Sequence, residues 1–310
     1  MSKARNLSSL GNAYSDGALS NRNLIINGAM QVAQRGTSYV LNSNGYTLDR
    51  WKTISIHGQQ TVAQQAVTDL AGFSKCIRVQ RNVGSTANAY SIELNQPVES
   101  LNTISVVGKT VTLSFWARVG SDYSGDVDAF TSTIAYHNYT GVDMGMEEGD
   151  FLATFASTKV VQANTPSTDW TYYTMTADIA SDAYQVGVVI ATQSWVGTAG
   201  ANDYFEVTGV QLEVGDTATP FEHRSYGQEL ALCQRYYELG NGYAGGRYSD
   251  NLTIGSAYFS TAKRAIPSVS LSGSNSPTVV SATASFIGWY AVGLGTNYSN
   301  QMTYIADAEL

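Results

Sequence analysis

The sequence predicts an all-β fold: a jelly-roll β-sandwich followed by a short linking helix and a smaller C-terminal β domain. Apolar and polar residues alternate in many short runs, and turn residues separate these runs. The composition agrees, because only 14% of the 310 residues are charged while the chain contains 29 Gly and 20 Tyr. Low charge with many Gly and Tyr residues suits β structure with uncharged polar surfaces.

The clearest strand pattern lies in TVTLSFWARV, residues 110–119. Val111 and Leu113 fall on one face together with Phe115, whereas Trp116 falls on the other, as expected of a half-buried strand. The same alternation recurs along the chain. About ten short strands with no long helix between them predict a jelly-roll sandwich.

The sandwich is predicted to end where Pro220 interrupts the last strand. Ser225 and Gln228 have the spacing of a capping box, so a helix is expected to begin at Ser225. Apolar residues then recur at intervals of three and four, which predicts a broad apolar stripe. Residues 223–239 are therefore predicted to form the linking helix.

Three further segments follow from composition and patterning. The sandwich is predicted to occupy residues 23–222. Turn and strand signals return after the helix, so residues 240–310 are predicted to form the C-terminal β domain. Residues 1–22 are small, polar and Gly-bearing, which predicts an N-terminal arm that orders only on a partner, with a disordered leader as the alternative.

Bulk properties exclude several classes of partner. The net charge is −8, so neither nucleic acid nor an anionic membrane is a predicted partner. Cys76 and Cys233 make no disulfide framework and no zinc spacing, and both are predicted to be reduced and buried. The beginning of the chain lacks the apolar region of a signal peptide, so we expect a soluble protein that is made in the cytoplasm without a signal peptide.

No catalytic residue and no transition-metal site is predicted from the motifs. Gly108-Lys109-Thr110 resembles the end of a phosphate loop, but the motif needs a Gly where this chain has Thr103. The three histidines have no ligand spacing, and no G-x-S-x-G nucleophile motif is present. These observations predict a protein that is not an enzyme.

Two acidic clusters leave alternatives open. Solvated loop charge is the simplest interpretation, a structural calcium ion is the second, and glycoside hydrolysis by a carboxylate pair is the third. No cofactor is predicted apart from that calcium alternative. The clusters are Asp122, Asp126 and Asp128, and Asp143, Glu147, Glu148 and Asp150.

Aromatic residues are the candidate carbohydrate-binding groups. Trp116 is predicted to lie on the outward face of its strand and Trp195 in a Gly-bounded loop. Packing in the core or at an interface is the simplest interpretation of both, and stacking of the flat rings on sugars is the alternative. In the C-terminal part, tyrosines lie among Gly, Ser and Asn, a composition typical of adaptable binding surfaces. These candidates are Tyr243, Tyr248, Tyr290 and Tyr298.

Several separated stretches carry a resemblance to a known family. They are NRNLIINGAMQVAQRGTS, YTLDRW, TGVQLEVGDTATPFEHRSYGQELALCQRYYE, FSTAKRAIPSVSLSG and IADAEL, in this order. Together they resemble bacteriophage tail fibre and receptor-binding proteins with a carbohydrate-binding-module-like jelly roll. The resemblance implies a virion component that attaches the phage to the host cell surface, with a surface glycan as ligand.

The resemblance also implies roles for particular residues. The N-terminal arm would dock on other tail proteins, and its apolar face comprises Ala4, Leu7 and Leu10. The family is usually trimeric, so a homotrimer is expected. From the broad apolar stripe we predict that the linking helix lies on the threefold axis, with Leu232, Tyr236 and Leu239 facing the other two copies; packing of the whole stripe within one chain is the alternative. The motifs Asp49-Arg50-Trp51 and Gln211-Leu212-Glu213 are expected to be structural, with Asp49 and Arg50 paired inside the sandwich.

Two other functions stay open at this stage. One is a polysaccharide-degrading tailspike, and the other is a purely structural tail adaptor with no receptor contact. Within the receptor-binding interpretation, the Tyr- and Gly-rich loops of residues 240–310 are expected to contact the receptor more than the sandwich does.

Overall fold

The computed structural model describes the backbone of most of the chain. The described residues are 22–41, 44–55, 60–86, 91–126, 130–139, 141, 143–145, 159–193, 195–249, 252–273, 277–292 and 300–309. They form two compact units. The first comprises the residues up to Gln31, Thr37–Thr47 and Trp51–His223, and the second comprises Val32–Gly36, Leu48–Arg50 and the residues from Arg224 onward.

The first unit is a β-sandwich of two six-stranded antiparallel sheets, as predicted. The strands of the first sheet, in spatial order, are β1 (Ser38–Leu41), β4 (Gln60–Ala66), β5 (Lys75–Arg81), β12 (Tyr204–Val214), β7 (Thr110–Val119) and β10 (Thr171–Asp178). Those of the second are β2 (Gly45–Tyr46), β3 (Lys52–Ser55), β6 (Ser91–Pro97), β11 (Gln185–Gln193), β8 (Thr131–His137) and β9 (Lys159–Ala163).

The core of the sandwich comes from the alternation that the sequence shows. Leu113 and Phe115 of β7 are fully buried, as are Val188 and Ile190 of β11. Because successive side chains of a strand point to opposite faces, the same strands also present a second set of residues outward. On β7 the outward set includes Trp116, which is only half-buried.

The second unit consists of one helix and a third six-stranded antiparallel sheet. Helix α1 spans Tyr226–Gln234. The strands, in spatial order, are β15 (Ser268–Gly273), β18 (Asn300–Asp307), β13 (Tyr237–Ser249), β14 (Leu252–Tyr258), β17 (Phe286–Val292) and β16 (Thr278–Ala282). The edge strands β15 and β16 lie beside each other, so the sheet curls around its apolar side.

The interior of the curled sheet is built around Trp289. This residue and Ile287, Met302, Tyr304, Ala306 and Phe259 form one buried cluster. Gly242 lies directly under the indole ring, where a Cβ atom would approach Trp289 Cζ2 and Cη2 to within 2.9 Å and 2.3 Å. Glycine at this position therefore makes room for the largest side chain of the cluster.

Helix α1 begins as the sequence predicted but ends earlier. Ser225 is the N-cap, and the reciprocal hydrogen bonds of the capping box with Gln228 are both present. The prediction that the helix continues to residue 239 is wrong, because the chain from Tyr237 onward pairs with β18 as strand β13. Leu239 accordingly lies in a strand, where it is 47% exposed.

One of the predicted trimer-facing residues is not available to a second copy. Tyr236 is buried in its own chain, with the Arg50 guanidinium 3.6 Å above its ring. The prediction that Tyr236 faces other copies is therefore wrong. Leu232 is half-buried on helix α1, and it stays a candidate together with Leu239.

The Asp49-Arg50-Trp51 motif divides between the two units. Trp51 is buried in the sandwich and donates from Nε1 to the Asn27 carbonyl at 3.1 Å. Asp49 and Arg50 belong to the second unit, where Asp49 accepts the backbone N–H of Gln34 at 2.6 Å and Arg50 forms an ion pair with Glu309. The expectation that Asp49 and Arg50 lie inside the sandwich is therefore wrong.

Other predictions have simple outcomes. Cys76 and Cys233 are both buried and unpaired, as predicted, and burial raises the pKa of each thiol. Ala4, Leu7 and Leu10 lie outside the described residues. Within the described part of the chain, no helix is long and apolar enough to cross a membrane.

A buried ion pair in the second unit gives a test of this fold. Glu238 accepts hydrogen bonds from Lys263, from the backbone and hydroxyl of Ser260 and from the Tyr304 hydroxyl. Burial opposes ionisation of Glu238, but these hydrogen bonds outweigh burial and lower its pKa. Its contribution to stability is thus present above the ordinary Glu pKa and is lost as the pH falls through the lower folded value.

We expect Glu238→Gln to lower the free energy of unfolding at neutral pH by about 3–5 kcal/mol, because Lys263 stays buried without its carboxylate. Urea unfolding at pH 7 measures this loss. The double variant Glu238→Gln with Lys263→Met should recover part of it, because the uncompensated charge is then removed. A single variant as stable as the wild type would contradict the burial of this pair.

Candidate functional site

An open cleft on the outward face of the first sheet is the candidate site. Trp116 of β7 and Tyr172 of β10 are directly opposite each other in the strand register. Their ring centroids lie 5.1 Å apart with the ring planes tilted by 41°. Both side chains retain exposed surface, so the pair presents aromatic faces to solvent.

Three further rings form the other wall of the cleft. Phe73 comes from the loop between β4 and β5, and Phe221 and His223 come from the segment after β12. The Phe73 centroid lies 5.2 Å from that of Phe221 and 5.4 Å from that of His223, and Phe221 and His223 are 4.9 Å apart. Edge and tilted contacts of this kind hold aromatic rings in fixed positions.

Together these residues enclose a space of about 440 Å³, which is large enough for a small organic ligand. We call it the aromatic cleft. Its lining residues are Phe73, Trp116, Tyr172, Ala218, Thr219, Pro220, Phe221 and His223.

A bulge in β12 brings the two aromatic walls together. The register of β12 against β7 shifts between Thr208 and Gln211, and Gly209 within this bulge has a φ of 64°. A Cβ atom on Gly209 would lie 2.7 Å from the Phe73 ring and 3.2 Å from Trp116. The bulge therefore needs glycine both for its backbone conformation and for the approach of the rings.

The Gln211-Leu212-Glu213 motif holds the wall that follows β12. The Glu213 carboxylate accepts hydrogen bonds from Thr219 N at 2.8 Å, from Thr219 Oγ1 at 2.6 Å and from Gln211 Nε2 at 2.8 Å. Gln211 Oε1 in turn accepts the backbone N–H of Glu222 at 2.8 Å. These bonds fold the segment that carries Pro220 and Phe221 back against the sheet.

The beginning of the sandwich holds the same segment from its other side. Arg22 donates to Thr219 Oγ1 at 2.8 Å and to the Pro220 carbonyl at 3.3 Å. The Asn23 backbone N–H donates to Glu222 at 2.8 Å. Two of the stretches that carry the resemblance, the one at the beginning of the sandwich and the one around Pro220, thus meet at one wall of the aromatic cleft.

A cluster of charged and aromatic side chains lies beside Trp116 on the same face. We call it the charged cluster. Arg118, two residues along β7, donates to Glu206 at 2.5 Å and to Asp69 at 2.6 Å, and its guanidinium lies 4.6 Å from the centre of the Trp170 ring. Arg78 also pairs with Glu206, at 2.7 Å.

Asp69 is the exposed member of the charged cluster, with 55% of its side chain accessible. It accepts the indole N–H of Trp170 at 3.0 Å. This hydrogen bond, together with the neighbouring Arg118, lowers the pKa of Asp69 below its usual value. The carboxylate is therefore an ionised acceptor fixed next to an aromatic ring.

The other predicted sugar-stacking residues have different outcomes. Trp195 is buried against Tyr123, with ring centroids 5.1 Å apart, so the stacking alternative is wrong and Trp195 is a core residue. Tyr243 is 64% exposed on β13, and Tyr290 is half-buried on β17. Tyr248 lies in β13, but its side chain and all of Tyr298 lie outside the described residues.

The acidic clusters stay without an assigned role. No group of three His, Cys, Asp or Glu side chains that could hold a metal is found among the described residues. Asp122 accepts the Asn202 N–H at 2.9 Å, and Asp143 accepts the Ser100 N–H at 3.0 Å. Residues Asp128, Glu147, Glu148 and Asp150 lie outside the described part.

The sequence pointed to Trp116 but not to the rest of the cleft. Phe73, Tyr172, Phe221 and His223 come from three other segments, and no local spacing connects these segments. The one available signal was the aromatic pair around Glu222 directly after a strand-breaking proline.

No model of a known protein family matches the chain, and no curated protein is similar to it. Among solved structures, the enzymatically active domain of tailspike protein 4 of bacteriophage CBA120 is similar, with 14% identity and a TM-score of 0.40, over 62% of this chain and 21% of that chain. TmCBM61, solved with β-1,4-galactotriose, has 13% identity and a TM-score of 0.33, over 63% and 100% of the two chains.

The xylan-binding domain CBM22-1 of Xyn10C from Paenibacillus barcinonensis has 10% identity and a TM-score of 0.32, over 58% of this chain and 94% of that chain. This chain thus spans about a fifth of the length of the phage protein. The similar structures are carbohydrate-binding modules and a tailspike domain, all at low identity.

Gly209→Ala tests the bulge that shapes the cleft. We expect it to lower the free energy of unfolding of the sandwich by about 1–3 kcal/mol, because alanine disfavours the positive φ and its methyl group displaces the Phe73 ring. Thermal unfolding and tryptophan fluorescence measure the two effects. Gly45→Ala is the matched control, since its nearest neighbour lies 3.8 Å away and its φ is ordinary. Equal stability of the two variants would argue against the bulge geometry.

Proposed function

We propose that this protein is a non-enzymatic attachment subunit of a bacteriophage tail, and that it binds a host surface glycan in the aromatic cleft. The observation that carries the proposal is the arrangement of Trp116 and Tyr172, two partly exposed rings side by side, opposite a wall of three more rings.

The chemistry of the cleft suits a sugar. The C–H faces of a pyranose are apolar and flat, so they stack on aromatic rings, while hydroxyl groups at the ring edge need polar partners. The aromatic cleft supplies the rings, and the exposed His223 in its lining supplies polar ring nitrogens. The rings are held by their neighbours before any ligand arrives, which reduces the entropy lost on binding.

The carboxylates of the charged cluster favour a protein that binds a glycan without cleaving it. A retaining or inverting glycosidase needs a carboxylic acid whose pKa is raised, so that it can protonate the leaving group. Asp69 has the opposite perturbation, since Trp170 and Arg118 lower its pKa. Glu206 is buried and bound by two arginines, Arg78 and Arg118.

The tail context rests on the sequence resemblance. Part of the stretches that carry the resemblance holds one wall of the cleft, through Arg22, Asn23, Gln211 and Glu213. The same residues therefore support both the resemblance and the shape of the site. A tail presents several copies of an attachment protein, and weak sites multiply into firm adhesion when copies bind together. A homotrimer with an N-terminal docking arm would provide such copies.

We place the site in the sandwich and not in the C-terminal tyrosines. Two exposed tyrosines of the second unit, Tyr243 and Tyr258, lie on strands β13 and β14. Trp116 by contrast lies in a concave space with four other rings. A preformed concavity buries more of a ligand than single exposed rings can.

Trp116→Ala should weaken binding to the purified surface polysaccharide of the host at least tenfold, which is about 1.4 kcal/mol. Isothermal titration calorimetry and a glycan array measure the affinity. Tyr258→Ala is the matched control, because Tyr258 is 81% exposed and distant in sequence from the cleft; it should bind as the wild type does.

The alternatives give different results in the same assay. Loss of binding in Tyr258→Ala alone would move the site to the C-terminal domain. Release of reducing ends would indicate a degrading tailspike, and absence of any glycan binding would leave the structural adaptor.

A further inference from the structure

We infer that the binding site continues from the aromatic cleft into the charged cluster, and that its ligand is a neutral oligosaccharide of at least two sugar units. This inference rests on the proposed function and specifies its ligand class. Under it, one sugar stacks in the cleft while the next is held by hydroxyl contacts at Asp69 and Arg118, beside the Trp170 ring.

The strand register places the two subsites in line. Trp116 and Arg118 are two residues apart on β7, so their side chains leave the same face about 7 Å apart along the strand. Trp170, which directly precedes β10, contacts Arg118, and Tyr172 of β10 contacts Trp116. The two contacts are two residues apart along the paired strands. Successive aromatic positions along one direction suit a chain of sugar rings better than a single ring.

One loop contributes to both subsites. The segment between β4 and β5 carries Phe73 into the aromatic cleft and Asp69 into the charged cluster. A ligand that contacts both residues therefore meets a single continuous surface of the sandwich.

The second subsite offers hydroxyl recognition of a fixed geometry. Asp69 is oriented by the Trp170 indole at 3.0 Å and by Arg118 at 2.6 Å, yet more than half of its side chain is accessible. An ionised carboxylate has more acceptor positions than these two donors occupy. Sugar hydroxyls can donate to the remaining positions, and charge-assisted hydrogen bonds of this type are the stronger ones.

The charges of this subsite favour a neutral sugar. Arg118 is bound by Asp69 and Glu206, and Arg78 is bound by Glu206, so the two guanidiniums are matched by two carboxylates. An acidic sugar would have to break one of these pairs or approach the exposed Asp69 carboxylate, which repels it. A neutral sugar needs neither change.

The test compares two matched series of probes on the full chain. Galacto-oligosaccharides are the neutral series and galacturonate oligomers the acidic one, each as mono-, di- and tetrasaccharide, with affinity measured by quenching of tryptophan fluorescence and by calorimetry. We expect the neutral disaccharide to bind at least tenfold more tightly than the monosaccharide, and the acidic series to bind more weakly at every length.

Asp69→Asn then separates the subsites. It should weaken the neutral di- and tetrasaccharide about tenfold and leave the monosaccharide unchanged. Asp178→Asn is the matched control, since Asp178 is an exposed carboxylate on the same face of β10 as Tyr172. Asp178 accepts a hydrogen bond from the Thr110 hydroxyl at 2.6 Å. It should not alter any affinity.

Each result decides between the two ideas. If Trp116→Ala weakens binding but Asp69→Asn does not, or if affinity does not rise with length, the second subsite is overturned while the cleft stands. If the acidic series binds more tightly, the neutral ligand is overturned. If neither series binds, the inference falls, and the proposed function is still decided by the host polysaccharide assay.

Discussion

The carboxylate of Glu213, buried at the end of β12, fixes the shape of the candidate site. An ionised group that is removed from water must receive hydrogen bonds, because burial without them costs several kcal/mol. Glu213 receives them from Thr219 and Gln211, which lie on either side of it in sequence. The chain that leaves the last strand therefore folds back on the sheet, and Phe221 is carried into the wall of the aromatic cleft.

The rest of the site follows from the geometry of the strands. A sandwich strand buries one face, so its other face is free to carry function, and Trp116 and Arg118 occupy that face of β7. Their neighbours differ in character. Trp116 contacts aromatic rings, which line an apolar space open to solvent. Arg118 contacts carboxylates, so fixed charges surround its guanidinium. One face thus offers a stacking position and, next to it, a hydrogen-bonding position.

The second unit uses buried polarity in a different way. Its interior contains a Glu238–Lys263 pair together with the hydroxyl of Tyr304, next to the apolar cluster around Trp289. Each member of this network has a partner, which is the condition under which buried charge is tolerated. The network requires Ser260 and Lys263 to lie against β13, so it specifies the path of the chain between β14 and β15.

The sequence by itself determined the features that depend on near neighbours. Alternation along residues 110–119 predicted both the buried face of β7 and the outward position of Trp116, because side-chain direction in a strand depends only on the parity of the residue. The spacing of Ser225 and Gln228 predicted the start of helix α1, since a capping box is a contact over three residues.

Only the tertiary structure decided the features that depend on distant segments. Helix α1 stops before Tyr237 because that residue pairs with Asp307, and Tyr236 is buried because Arg50 lies over its ring. The sequence suggested the same interpretations for Trp195 as for Trp116, but Trp195 is a core residue because its loop packs against Tyr123. The aromatic cleft likewise joins four segments far apart in the chain, and strand pairing and buried hydrogen bonds, not local spacing, bring them together.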